Sequence, residues 1–170
     1  TQMTPKLDNL TKNYEKGMME SPVFLEEMQA LFSNVSQEQI KAAWNSIILD
    51  FPEYRLAFME ALTKENTYRL FLLSNTNDLH IQKVMESMGM ERYQRFQNCF
   101  EKFYLSHEIK MRKPNADIYE FVLEENGLNP TETFFIDDTK ENTGSAAALG
   151  IQVWNLQVGE QDIIDLKNHL

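Results

Sequence analysis

From Phe51 onward the chain alternates short, continuously apolar runs with longer amphipathic stretches, and this alternation restricts its fold more than any other feature. The runs lie in "TYRLFLLSN", "KFYLS", "TFFIDD" and "IQVWNL". A strand with one solvated face would alternate apolar and polar residues, whereas these segments are apolar on both faces. Helical patterns separate them. "NDLHIQKVMESMG" has Asn77 placed to cap its start and Gly89 just past its end. A second helix is expected to open at Pro114 and close near Gly127, and a third covers "ENTGSAAALG". Strands that alternate with helices and are buried on both sides predict an α/β fold, a Rossmann-like parallel sheet flanked by helices.

The first fifty residues follow a different rhythm and read as helical throughout. In "SPVFLEEMQALF", Phe24, Leu25, Met28, Leu31 and Phe32 share one helical face, with Ser21 as expected N-cap and Pro22 in the first turn. In "SQEQIKAAWNSIIL", Ser36 and Gln39 form a capping-box pattern ahead of the stripe Ile40, Ala43, Trp44, Ile47 and Ile48. A helix through "EYRLAFMEAL" leads into the first strand. The expected division is a helical subdomain over residues 1–51 and an α/β core over residues 52–170.

In open parallel sheets, ligands bind outside the carboxyl ends of the strands. The first strand ends in Ser74, Asn75, Thr76 and Asn77, the second near Ser106 with Lys113 a few residues on, and the third in Asp137 and Asp138. Each has an ordinary structural reading. Ser74 could cap the following turn, Lys113 could be a solvated lysine at a helix start, and one aspartate could cap a helix. A cation at a helix N-terminus is electrostatically disfavoured, so an anion near Lys113 would account for it. Two adjacent carboxylates exceed what capping requires. Oxygen-only ligation of a hard cation such as Mg²⁺, which takes one or two carboxylates beside phosphate oxygens, uses both.

Composition narrows the function classes. A net charge of −10 repels nucleic acid and anionic membranes, yet local lysines and a bound cation can reverse the field inside a cleft. Cys99 stands alone, so no internal disulfide can form and a reducing compartment is expected. There is no membrane-length apolar run and no leader pattern, which points to a cytoplasmic protein. His80, His107 and His169 have no metal-ligand spacing, and Met85, Met88 and Met90 read as core or interface filling.

Three ordered motifs, "LFLLSNTN", "MRKPNADIY" and "FFIDDTKEN", resemble the second, third and fourth motifs of the haloacid dehalogenase-like hydrolase superfamily. The likeness runs from about Tyr14 to Leu156 and extends to the branch of small sugar-phosphate phosphatases similar to α-D-glucose-1-phosphate phosphatase. It implies a phosphatase for a small phosphorylated metabolite. Ser74 would hydrogen-bond the transferred phosphoryl group and Asn75 would offer its backbone N–H. Lys113 would neutralise the phosphate, and Asp137 and Asp138 would hold Mg²⁺. The helical first third would be a cap that closes over the substrate and helps choose it. The dehalogenase branch resembles Ser-Asn rather than Asp-Asp at the third strand end and needs no metal.

The family's first motif, a strand ending Asp-x-Asp or Asp-x-Gly whose first aspartate attacks phosphorus, has no counterpart here. Asp8 and Asp50 are the only aspartates before Phe51, and both lie in helical patterns. Two expectations stand. The nucleophile and first core strand lie upstream of Thr1, on a segment of about thirty residues by ordinary strand and loop lengths. Alternatively, the chain is a non-catalytic relative that binds a phosphorylated ligand or a partner. On either, the chain as given binds Mg²⁺ and phosphate weakly and turns over little. Substrate identity and oligomeric state are not legible.

Overall fold

Each of the four apolar runs becomes a strand in the computed structural model, which describes residues 4–170. By internal contacts the chain divides into a first unit ending at Lys110 and a second covering Met111–Leu170. Helical structure continues past residue 51, with the first strand starting at Phe71, so this division by contacts is a separate feature of the chain.

The first unit begins with helices α1 (Pro5–Glu15), α2 (Ser21–Leu31), α3 (Gln37–Asn45) and α4 (Glu53–Glu65). Strand β1 (Phe71–Ser74), helices α5 (Asp78–Met88) and α6 (Met90–Gln97), strand β2 (Lys102–Leu105) and the short α7 (Ser106–Ile109) follow. The Thr4 hydroxyl accepts from Leu7 N to start α1, and Ser36 with Gln39 forms the expected capping box on α3. Ser21 does not cap α2. Glu20 takes that position without a side-chain bond, because the Ser21 hydroxyl is drawn into bonds with Tyr14 and Asp78. Met90 is 63% exposed at the start of α6, so the methionine-rich stretch fills the core only in part, with Met88 buried.

The core of this unit is largely aromatic. Phe24 is fully buried and stacks on Tyr14 at 4.0 Å between ring centroids, while Trp44 tilts against Phe24 at 4.8 Å. Leu10, Met28, Ile40 and Leu79 complete the cluster, so the helical segment and α5 share one core. A tilted pair such as Phe24–Trp44 adds about 0.5–1.5 kcal/mol beyond the area it buries.

The second unit contains α8 (Ala116–Asn126), β3 (Phe134–Asp137), α9 (Lys140–Ala148) and β4 (Gln152–Asn155), with 3-10 turns at Pro130–Glu132 and Ile163–Asn168. β1 pairs parallel with β2, Ser74 opposite Leu105, and β3 pairs parallel with β4, Asp137 opposite Asn155. Parallel neighbours need a crossover, which α5 and α6 supply in the first unit and α9 in the second. The expected α/β class with parallel strands is what forms. β1 and β3 are only partly buried along their length, not fully buried as their sequences suggested, and among the described residues each has one hydrogen-bonded neighbour. Among the described residues no helix is long and apolar enough to cross a membrane.

Candidate functional site

At the carboxyl end of β3 the two aspartates take different surroundings. Asp137 is the last strand residue and turns inward. Its Oδ2 accepts from Lys113 Nζ at 2.6 Å, and its Oδ1 accepts from Thr139 N at 2.8 Å and Asn142 Nδ2 at 3.0 Å. Asp138 is exposed, and its carboxylate accepts from the Thr139 hydroxyl at 3.3 Å. Asn155, opposite Asp137 in the register, donates through Nδ2 to the backbone carbonyls of both aspartates at 3.1 and 3.0 Å. The strand end is thus tied to its neighbour, which fixes the direction in which each carboxylate leaves the chain.

Lys113 reaches Asp137 from the segment between α7 and α8, and its ammonium also lies 5.4 Å from the Phe135 ring centroid. The side chains of Lys113 and Asp137 are each 8% exposed. Burying two charges costs several kcal/mol per ion, and even good geometry barely offsets that, so a pair this deep is a poor way to gain stability. Tyr119 lies on Phe135 edge-on at 5.4 Å and donates its hydroxyl to Asn142 O at 2.9 Å. Burial pushes the Tyr119 hydroxyl well above the usual tyrosine range, with the Asp137 charge adding to it, so it stays a neutral donor.

The arrangement answers why like charges adjoin. Asp137 is compensated by an ammonium and two further donors, and Asp138 is left to solvent. Asp137 does contribute to the helix start, since its Oδ1 accepts from Thr139 N, but one oxygen suffices for that. What remains is an exposed carboxylate beside a compensated one, with ordered carbonyls behind them. The donor set is oxygen only, and among the described residues no group of three or more His, Cys, Asp or Glu side chains is placed to hold a metal. Two adjacent carboxylates are the number that a water-rich Mg²⁺ takes beside phosphate oxygens.

Ser74 and Asn75 stand in the first unit, where Ser74 closes β1. The backbone just beyond them is tightly held. Thr76 N donates to Ser106 Oγ at 2.9 Å, and that hydroxyl lies 2.6 Å from Glu15 O and 3.0 Å from Thr76 O as possible acceptors. Asn77 Oδ1 accepts from His80 N at 3.1 Å and Trp44 Nε1 at 3.2 Å. So Lys113 is brought onto Asp137 with Asp138 adjacent, while Ser74 and Asn75 occupy the rigid end of the other strand pair.

Sequence reasoning missed Asn142, Asn155, Phe135 and Tyr119. Asn142 stands five residues past Asp137, in the first turn of α9, and its spacing could have suggested a partner. Asn155 is recognisable only once β3 and β4 are in register.

The chain matches the model of the haloacid dehalogenase-like hydrolases over residues 3–150. It is 25% identical over 146 residues to D-ribitol-5-phosphate phosphatase of Bacteroides thetaiotaomicron, covering 85% of this chain and 70% of that protein. It is 28% identical over 87 residues to an (S)-2-haloacid dehalogenase of Burkholderia cepacia, covering 51% of this chain and 35% of that enzyme. Among solved structures it is similar to a haloacid dehalogenase-like family enzyme of Bacteroides thetaiotaomicron. The TM-score is 0.84 at 38% identity, covering 95% of this chain and 79% of that one. An Asp-to-Ala mutant of that enzyme in complex with magnesium and inorganic phosphate matches with a TM-score of 0.82.

Proposed function

The chain belongs to the haloacid dehalogenase-like hydrolases, and from that premise we propose that it works as a Mg²⁺-dependent phosphomonoester hydrolase on a small phosphorylated metabolite. The observation that carries the reading is the buried Lys113–Asp137 pair with the exposed Asp138 carboxylate beside it. Buried charges retained at the carboxyl end of a parallel strand, where they do little for stability, mark a place where charge is used. The similar phosphatase and the similar enzyme bound to magnesium and phosphate agree with that chemistry.

In this reading Asp137 and Asp138 hold the cation, directly or through water. Bound Mg²⁺ supplies positive charge to phosphoryl oxygens and so stabilises the charge that develops during transfer. Lys113 meets the phosphoryl group with an ammonium already desolvated and aimed by Asp137 and Phe135, so no reorganisation is needed when the anion arrives. Ser74 and Asn75, in the first unit, keep the phosphate-binding role that the resemblance implies. Asn155 and Asn142 position the aspartates. Among the described residues Asp137 is the one carboxylate that ends a strand, and it is engaged by Lys113, so the attacking carboxylate of an aspartyl-phosphate mechanism is assigned to none of them.

The test is Mg²⁺ binding by calorimetry, repeated for Asp138→Ala, with halide release from 2-chloropropanoate measured in parallel. The reading expects a Mg²⁺ isotherm that weakens at least about tenfold in the variant, the order expected for loss of one charged ligand, and no halide release. Halide release unaffected by chelator would replace it with a dehalogenase, and Mg²⁺ affinity unchanged in Asp138→Ala would remove the metal site.

A further inference from the structure

Between Ser74, the last residue of β1, and Asp78, the first of α5, residues 75–77 belong to neither a strand nor a helix. Backbone of this kind relies on side chains for its bonds. Asn77 caps α5 and is met by Trp44 and His80. Thr76 stands between Asn77 and the Ser74–Asn75 pair, and two consecutive residues of α7 take its backbone groups. Thr76 N donates to Ser106 Oγ at 2.9 Å, and the His107 ring bonds the Thr76 backbone.

The Ser106 hydroxyl has one proton to give. Glu15 O lies 2.6 Å from Oγ and Thr76 O lies 3.0 Å away. The His107 bond favours the protonated ring, as a bond to a carbonyl does, and it runs through Nε2, since Nδ1 has no partner among the described residues. Thr76 O therefore has a donor in His107, and the Ser106 proton goes to the nearer Glu15 O. The result is a relay of backbone N–H, hydroxyl and backbone carbonyl. It runs from the loop beyond Ser74 to Glu15, the last residue of α1, 30 residues from Ser106 on one side and 91 on the other.

This use of Ser106 is not local. A serine at a helix start ordinarily caps that helix, but Leu105 takes the cap position of α7 without a side-chain bond. Ser106 is also fully buried, where alanine would fill nearly the same space, so the hydroxyl is kept for its bonds. Because the peptide unit is planar, holding Thr76 N also holds the carbonyl of Asn75 and the direction in which the chain leaves that residue.

We propose that Ser106 is a positioning residue for phosphate binding, which sets the backbone after Ser74 and Asn75 before the anion arrives. Its hydroxyl is filled by backbone partners, so it does not contact the anion itself. The proposal rests on the phosphomonoester reading for the roles of Ser74 and Asn75, and adds that their geometry is set from the end of α1 through Glu15. A loop ordered in advance draws no binding energy for its own ordering. Ordering one backbone residue on binding instead would weaken affinity about tenfold.

The experiment compares the unmodified 170-residue protein with Ser106→Ala and with Thr63→Ala, a control that removes an α4 hydroxyl bonded to Met59 O and Cys99 O. Inorganic phosphate is titrated by calorimetry in saturating Mg²⁺, Mg²⁺ is titrated alone, and amide hydrogen exchange is followed at Thr76 and in β1. Ser106→Ala is expected to bind phosphate about tenfold more weakly with Mg²⁺ affinity unchanged. Its Thr76 amide should exchange at least about tenfold faster relative to the β1 amides. Thr63→Ala should bind phosphate within about twofold of the unmodified protein, which separates positioning from a general loss of stability. If Ser106→Ala does not fold, exchange in the unmodified protein decides. Phosphate should then slow Thr76 no more than it slows the β1 amides, and a further slowing of about tenfold would reveal a loop ordered by the ligand and overturn the proposal. Equal phosphate affinity in Ser106→Ala and the unmodified protein overturns the proposal alone, as does an equal loss in Thr63→Ala. Phosphate that fails to bind the unmodified protein overturns the phosphomonoester reading, and the role of Ser106 with it.

Discussion

Asn77 in the first unit is fully buried, and its carboxamide is matched by neutral partners, the Trp44 indole, the His80 amide and the His80 ring. Lys113 and Asp137 in the second unit are almost as deep, yet the match there is between full charges. The first kind of burial exchanges bonds to water for bonds of similar strength and fixes how α3 and α5 meet. The second removes two ions from water at a cost that a well-packed apolar pair would avoid. On the proposed function, the difference separates polarity kept for architecture from polarity kept for chemistry.

The largest effect should come from the architectural side. Phe24→Ala removes a fully buried ring from the aromatic stack and should cost about 3–5 kcal/mol in urea unfolding. Next is Lys113→Ala, which leaves the Asp137 carboxylate buried without its cation and should cost about 3 kcal/mol. The comparison sharpens when both charges go. Lys113→Met with Asp137→Asn keeps an oxygen for Thr139 N and Asn142 and should lie within about 1 kcal/mol of the unmodified protein. If the double variant is as unstable as the single one, the pair is architectural and the contrast fails.

Asn77→Ala ranks below these. It removes the α5 cap and the acceptor of the Trp44 indole, for an expected loss of about 1–2 kcal/mol in the same unfolding assay. His80 gives the same network a pH signature. Burial lowers its pKa, partly opposed by its bond to Trp44 O and by the Glu15 charge. A depressed folded-state pKa means the unfolded chain binds the proton more readily. The contribution is therefore fully present above about pH 6.5, the unperturbed value, and is lost as pH falls from there towards the folded pKa. Thermal melts from pH 8 down to pH 5 should show that decline in the unmodified protein and a shallower one in His80→Phe. The smallest stability effect is expected for Asp138→Ala, within about 0.5 kcal/mol, since its side chain is exposed.

Much of the fold was legible because the relevant signals are local. Apolar runs gave the strands, Asn77 and Gly89 bounded α5 as expected, and Ser36 with Gln39 capped α3. Ser21 was misread as a cap because its partners, Tyr14 and Asp78, are 7 and 57 residues away and no local rule finds them. The same holds at the site. The aspartate pair was visible as excess charge at a strand end, but Asn155 holds it across 18 residues through strand register. The division at Lys110 was also hidden, because it depends on α5 sharing the core of the first helices. Side chains that end a strand can be read from the sequence, and the side chains that orient them require the pairing.

The most direct test of the central claim is the affinity of the Lys113→Met, Asp137→Asn variant for inorganic phosphate in saturating Mg²⁺, measured by calorimetry beside the unmodified protein. The account predicts that phosphate affinity falls by at least about a hundredfold, as expected when a desolvated ammonium is removed from an anion site, in a variant whose thermal transition is nearly unmoved. Phosphate binding that survives in a variant that has lost its stability would contradict it, and would place the buried pair with Asn77 as a structural element.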